Sequence, residues 1–266
     1  HTGPIDTATV GIHPSEVAGC IWFDASDPQT VIDEYGKACD QMDDKVSKWK
    51  SKFPRDSIEL VSLSNSDNRP KYVVNPPAIY FNPKNQTRME ASSNGNFIKN
   101  DHHIISVTLL DNEYTEMFLS IVSFTDESNE ITYNIGYSHY FLMELDVTLF
   151  TNYKDPEKVN KRFRLYPSKG KYNIINGKYT ESTERYNFSL NSKLSTESES
   201  CGFDHNFETF QVGASYRQDD HGEDNFKYGF HGNIAEIIII PRTLPPDSIK
   251  GIEEYLADKY NITLTP

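Results

Sequence analysis

Alternation of apolar and polar residues at a period of two dominates this chain. Phe141, Met143, Leu145, Val147 and Leu149 alternate with Leu142, Glu144, Asp146 and Thr148, which gives a single strand one apolar and one mostly polar face. Tyr133, Ile135, Tyr137, His139 and Phe141 alternate in the same way with Asn134, Gly136, Ser138 and Tyr140. Met117–Phe124 reads as a mostly buried strand, and Asn233–Ile240 as one buried on both faces. Asn176-Gly177, inside Tyr172–Thr180, predicts a hairpin with a type I′ turn. The polar stretch from Ser182 to Ser200 reads as a long loop or an exposed edge. Only one segment has helical spacing. From Pro246 to about Tyr260, Ile249, Ile252, Leu256 and Tyr260 fall on one stripe. Pro246 suits the first helical position and Asp247 the positive helix end, while Leu244 and Ile249 have the spacing of a hydrophobic staple. Many strands in series with one terminal helix specify an all-β, two-sheet antiparallel sandwich.

Composition narrows the class. The chain has 266 residues, 36% of them apolar, enough for one core. No run approaches the roughly 18 apolar residues of a membrane-spanning helix, so no membrane insertion is expected. Neither a repeat nor a linker is visible, and residues 1–266 read as a single domain. A net charge of −13 argues against nucleic-acid partners, which need a basic face. Cys20, Cys39 and Cys201 form no CxxC pair, which argues against structural zinc, and an odd number leaves at least one thiol free or paired between chains. Whether Cys20 and Cys39 pair stays open at this point. A start at His1 in place of Met reads as trimming or processing. The sequons at Asn85, Asn187 and Asn261 occur at chance frequency and do not argue for secretion.

Both ends of the chain carry a resemblance. Ile21-Trp22-Phe23-Asp24-Ala25-Ser26-Asp27-Pro28 is similar to the opening "W-x-D-A-S-D-P" of laminin-G-like, concanavalin-A-like jelly-roll domains. Val46–Lys50 resembles their "V-x-x-W-K-D" strand, and Pro77–Phe81 their "P-A-[IV]-x-F" strand. Near the end, Gly232-Asn233-Ile234-Ala235-Glu236 resembles "G-x-I-A-E", Arg242-Thr243-Leu244 the following "R-x-L" turn, and Tyr255-Leu256-Ala257-Asp258-Lys259-Tyr260 the closing "YLA-x-K-[WY]" helix. Ser51-Lys52-Phe53 departs from the usual "D-x-S-G". The resemblance implies a jelly roll with a short C-terminal helix. That family includes lectin-like modules, accessory domains of secreted bacterial enzymes, and structural proteins of phages and other viruses, and fold alone does not choose among them.

Catalytic patterns are weak. Glycoside hydrolases of this fold place three acids alternately on one strand. Glu144 and Asp146 begin such a pattern, but Val147, Thr148 and Leu149 supply no third acid. There is no G-x-S-x-G elbow and no H-E-x-x-H. His102-His103, the only histidine pair, reads as solvent or rim histidines. For a metal, Asp219, Asp220, Glu223 and Asp224 cluster around Gly222 and could offer oxygen ligands to calcium, set against the reading of a solvated acidic loop. The aromatic row from Tyr133 to Phe141 could face a sugar or a protein, although filling the core is its commoner use. Lys154 to Lys171 is a basic stretch on an acidic chain and could dock an acidic polymer or neighbour, or be a solvated face.

The expectation is therefore a non-enzymatic structural or attachment protein on a particle surface, a viral or phage virion above all, at the virion surface or extracellular. Its partners would be other structural proteins of an assembly or a glycan, with homo-oligomers compatible. The alternatives are a carbohydrate-binding module or lectin and, behind it, a divergent glycoside hydrolase.

Overall fold

A computed structural model describes residues 12–91, 98, 100–114, 117–126, 132–139, 145–151, 160–196, 199–200, 207–218 and 224–266. Two antiparallel sheets form a sandwich. In chain order the strands are β1 (Ile21–Asp24), β2 (Val31–Asp33), β3 (Val46–Lys50), β4 (Glu59–Ser62), β5 (Lys71–Val74), β6 (Pro77–Phe81), β7 (Met89–Ala91), β8 (His102–Leu110), β9 (Phe118–Asp126) and β10 (Thr132–Ser138). They continue as β11 (Asp146–Thr151), β12 (Asn160–Arg162), β13 (Tyr172–Thr180), β14 (Arg185–Leu190), β15 (Lys193–Leu194), β16 (Glu199–Ser200), β17 (Phe207–Val212), β18 (Ser215–Gln218), β19 (Asp224–Lys227) and β20 (Gly232–Ile240), followed by helix α1 (Pro246–Tyr260). The first sheet runs β15-β14-β13-β8-β20-β6-β5, with β1 on β20 and β16 on β14; the second runs β12-β11-β10-β9-β17-β7-β4-β3-β2.

The core between the sheets is aromatic. Phe124 stacks on Phe210 with ring centroids 5.3 Å apart, and Phe23 meets Trp49 edge-on at 5.6 Å. Tyr133, Ile135 and Tyr137 belong to this core, so the aromatic row of β10 is packing. A second apolar layer lies outside the first sheet, where Ile252, Leu256 and Tyr260 of α1 cover Trp22, Ile105, Ile174 and Ile238. Leu244 and Ile249, the pair with staple spacing, join the same layer. Burying each large apolar side chain there contributes about 1.5–3 kcal/mol. Because β20 sits between both layers, Ile237 and Ile239 face one and Ile238 and Ile240 the other. That explains its unbroken apolar run.

Three sequence expectations change. No turn forms at Asn176-Gly177; both lie inside the continuous strand β13. Asn176 instead hydrogen-bonds His103, and a Cβ on Gly177 would come within 2.9 Å of the Phe188 and Tyr186 rings. Glycine is there for close packing rather than for a turn. The Ser182–Ser200 stretch is partly an edge, as β15 shows, but β14 within it sends Tyr186, Phe188 and Leu190 into the core. His102 and His103 are buried, not rim residues. As for the thiols, Cys20 and Cys39 are both free. They lie in different apolar layers, and burial pushes each up to about 12, so neither is a reactive thiolate.

Candidate functional site

The outer face of the second sheet divides into two halves. One in-register row crosses it through Lys48, Val61, Glu90, Gln211, Ser123, Asn134 and Phe150. On β17, β9, β10 and β11 this row is buried beneath the β18–β19 hairpin, which packs on β9, β10 and β17. The polar groups there satisfy one another: Ser120 Oγ donates to Asn134 Oδ1 at 2.9 Å, Thr125 and Thr132 hydroxyls meet at 3.1 Å, and Ser138 and Thr148 at 2.6 Å. Such a closed network has nothing left to offer a ligand.

On β2, β3, β4 and β7 the same face is open. Two clefts of about 460 and 490 Å³ lie side by side and share Val61 and Ser62 as their common floor. Alternation along each short strand sends one set of side chains to the core and the other into the clefts. Thus Trp49 of β3 is core while Lys48 and Lys50 point outward. Arg88 and Glu90 flank buried Met89 and share one face, where Arg88 Nη1 donates to Glu90 Oε2 at 3.0 Å. Lys48 and Lys50 approach Glu59 at 3.7 and 4.0 Å, and Arg69 approaches Glu34 at 3.6 Å. At the lip, Asp33 Oδ1 accepts from the Tyr35 and Lys37 amides and fixes a tight turn. The Tyr35 side chain on that turn is 79% exposed. The result is a shallow polar groove with Val61 in its floor, and Tyr35 lies on the turn between Glu34 and Gly36, which line it.

A second charged cluster is buried on the opposite side of the sandwich, and the terminal sequence motifs build it. Asp24 and Glu236 pair across β1 and β20. Lys259 of α1 bridges them, at 3.0 Å from Asp24 and 3.1 Å from Glu236, and Trp22 Nε1 donates to Glu236 at 2.8 Å. Lys52, from the Ser51–Phe53 segment, adds a 3.1 Å bridge to Asp24 and lies 4.3 Å from the Trp22 ring centre. Burial opposes ionisation of Asp24, but Lys259, Ser26 and Lys52 outweigh it and hold the carboxyl below its usual range. Burial first, and then the Asp24 charge, lift Glu236 to about 7. The cluster is filled by its own side chains and ties α1 to the first sheet.

The sequence candidates fall elsewhere. Asp219, Asp220 and Glu223 lie outside the described residues; Asp224 begins β19. Among the described residues no group of three or more His, Cys, Asp or Glu is arranged to hold a metal ion. Glu144 is also outside them, whereas Asp146 is structural: it accepts from the Leu165 amide at 2.9 Å and faces Arg162 at 3.4 Å. Of the basic stretch, residues 154–159 lie outside the description. The groove residues were missed altogether. Charged residues on short strands look like any solvated face, and the one available signal was Lys48-Trp49-Lys50, a core residue between two cations.

No family model and no curated protein sequence matches the chain. Solved structures do resemble it. Trypanosoma rangeli sialidase in complex with the inhibitor DANA matches with a TM-score of 0.58 and 10% identity, over 96% of this chain and 36% of that one. A mutant of the same sialidase displaying trans-sialidase activity matches at 0.58 and 10%, over 92% and 34%. The CBM40 of Ruminococcus gnavus IT-sialidase bound to α2,6 sialyllactose overlaps more loosely, with a TM-score of 0.43 and 13% identity, over 59% of this chain and 85% of that one. The chain thus spans about a third of the sialidase chains, and the likeness is one of fold: a two-sheet β-sandwich.

Proposed function

We propose that this sandwich is a carbohydrate-binding, lectin-like module without catalytic activity of its own, working outside the cell or at its surface. The open groove across β2, β3, β4 and β7 is the observation that supports it. It offers carboxylate acceptors and ammonium and guanidinium donors over an apolar floor, the mixture that a polyhydroxylated ligand needs. The sialidase likeness concerns the fold, and the ligand is read from the groove. The particle-surface expectation finds no support among these observations and gives way to its alternative. No described helix is long and apolar enough to cross a membrane.

The test is a broad glycan array with the purified chain, with calcium and with chelator. The expected result is a specific set of bound glycans, lost in Lys48→Ala with the melting temperature unchanged. A blank array with folded protein overturns the reading.

A further inference from the structure

We infer that the groove selects neutral saccharides and excludes acidic ones, with Tyr35 as the ring on which a sugar stacks. This inference rests on the carbohydrate-binding reading.

The charge balance of the groove carries it. Its cations and carboxylates occur in equal number: Lys48 and Lys50 face Glu59, Arg69 faces Glu34, Arg88 faces Glu90, and Asp33 closes the turn. No cation stands apart from a carboxylate to receive an anionic sugar. Any carboxylate or sulfate on the ligand would come close to Glu59 or Glu90, and like charges brought together in an interface are costly. The net charge of −13 adds long-range repulsion.

A neutral sugar meets no such penalty. Each hydroxyl both donates and accepts, so it can donate to a carboxylate oxygen and accept from a neighbouring ammonium or guanidinium. The geometry leaves room for this. Lys48 and Lys50 stand 3.7 and 4.0 Å from Glu59, beyond ordinary hydrogen-bond length, so a hydroxyl can bridge these charges, whereas Arg69 and Glu34 are already engaged by the Leu63 and Ser64 carbonyls and the Ser66 hydroxyl. The groove floor is apolar at Val61, which is 44% exposed, and suits the C–H face of a pyranose. Tyr35 adds a ring with few rotatable bonds on a turn already held by Asp33, so little order must be imposed on binding.

Titration calorimetry on the whole chain separates the outcomes, using neutral probes (lactose, N-acetyllactosamine and cello-, malto- and manno-oligosaccharides) against sialyllactose and oligogalacturonate. Neutral probes are expected to bind with affinities that change less than about twofold between low and high salt. Acidic counterparts should bind at least about tenfold more weakly, and Tyr35→Ala should cost about tenfold or more with an unchanged melting temperature. Tighter binding of the acidic probes, weakening steeply with salt, overturns the inference while leaving carbohydrate binding intact. Neutral binding that ignores Tyr35→Ala overturns the stacking role. Failure of every saccharide overturns the carbohydrate-binding reading itself.

Discussion

The molecule holds two charged clusters on opposite sides of one sandwich, and they obey different physics. Around Lys259 the charges are sealed away: Asp24 and Glu236 have no exposed surface. In the groove, Lys48 and Glu59 are both more than a third exposed. A sealed charge depends on its partners because water cannot replace them, so the cluster fixes geometry and binds nothing else. An open pair is worth little to the fold because water can replace either partner, and a ligand can do the same. The comparison teaches that the cluster with the better hydrogen bonds is the structural one, and that weak pairs in an open cleft mark the place for recognition.

The largest expected effect comes from removing the cation that bridges the two sealed carboxylates. Lys259→Met leaves the buried Asp24 and Glu236 facing each other with only the Lys52 bridge to Asp24 and the Trp22 donor to Glu236, and should cost about 3–5 kcal/mol in denaturant unfolding. A loss below about 1 kcal/mol would erase the distinction between the two clusters.

Acid probes a second sealed site. His103 Nε2 accepts from the Leu244 amide at 3.2 Å, so its Nδ1–H donates to Asn176 Oδ1 at 3.1 Å. His102 donates from Nδ1 to the Asn100 carbonyl at 2.9 Å, and its Nε2 accepts from the Tyr186 hydroxyl at 3.0 Å. At His103 an added proton would point at the Leu244 amide, which can only donate; at His102 it would require the Tyr186 hydroxyl to turn and accept. Burial lowers both residues from 6.5 to about 4. Below 6.5 the unfolded chain takes up these protons and the folded chain does not. Stability is therefore complete above pH 6.5 and falls between 6.5 and 4, by roughly 3 kcal/mol for each histidine. Melting temperatures that stay flat from pH 7 to pH 4.5 would contradict the buried placement.

Legibility in the sequence follows the same division. The sandwich and α1 were readable because burial imposes a period: two along β10 and β11, and helical spacing at Ile252, Leu256 and Tyr260. Trp22, Asp24, Glu236 and Lys259 were readable only through a resemblance to jelly-roll motifs, and nothing in their spacing said that they meet. Asn176-Gly177 misled because local turn chemistry lost to tertiary packing against Tyr186 and Phe188. The groove was illegible. Its residues come from short, separated strands, and exposed charges have no period that burial enforces.

Glu236 gives an intermediate test, with the opposite sign to the histidines. Its folded value is raised to about 7 from 4.5, so its contribution is complete below pH 4.5 and fades as pH rises through 7. Glu236→Gln keeps an acceptor for Trp22 and removes the titration. The variant should match wild type near pH 5 and exceed it at pH 8 by roughly 1–3 kcal/mol. An equal difference at both values would mean that Glu236 does not titrate in that range.

The smallest expected effect is the most informative about the groove. Lys48→Ala breaks a 3.7 Å pair whose partners are 44% and 39% exposed, so stability should move by less than about 0.5 kcal/mol. Glu59 keeps Lys50 at 4.0 Å and its own water, so no buried charge is left behind. A cost above about 2 kcal/mol would place Lys48 in a packed, load-sharing surface like that around Lys259, and a groove that the fold needs so strongly would not be free to exchange its contacts for a ligand. Near-zero cost combined with lost glycan binding is the outcome that only an open recognition surface produces.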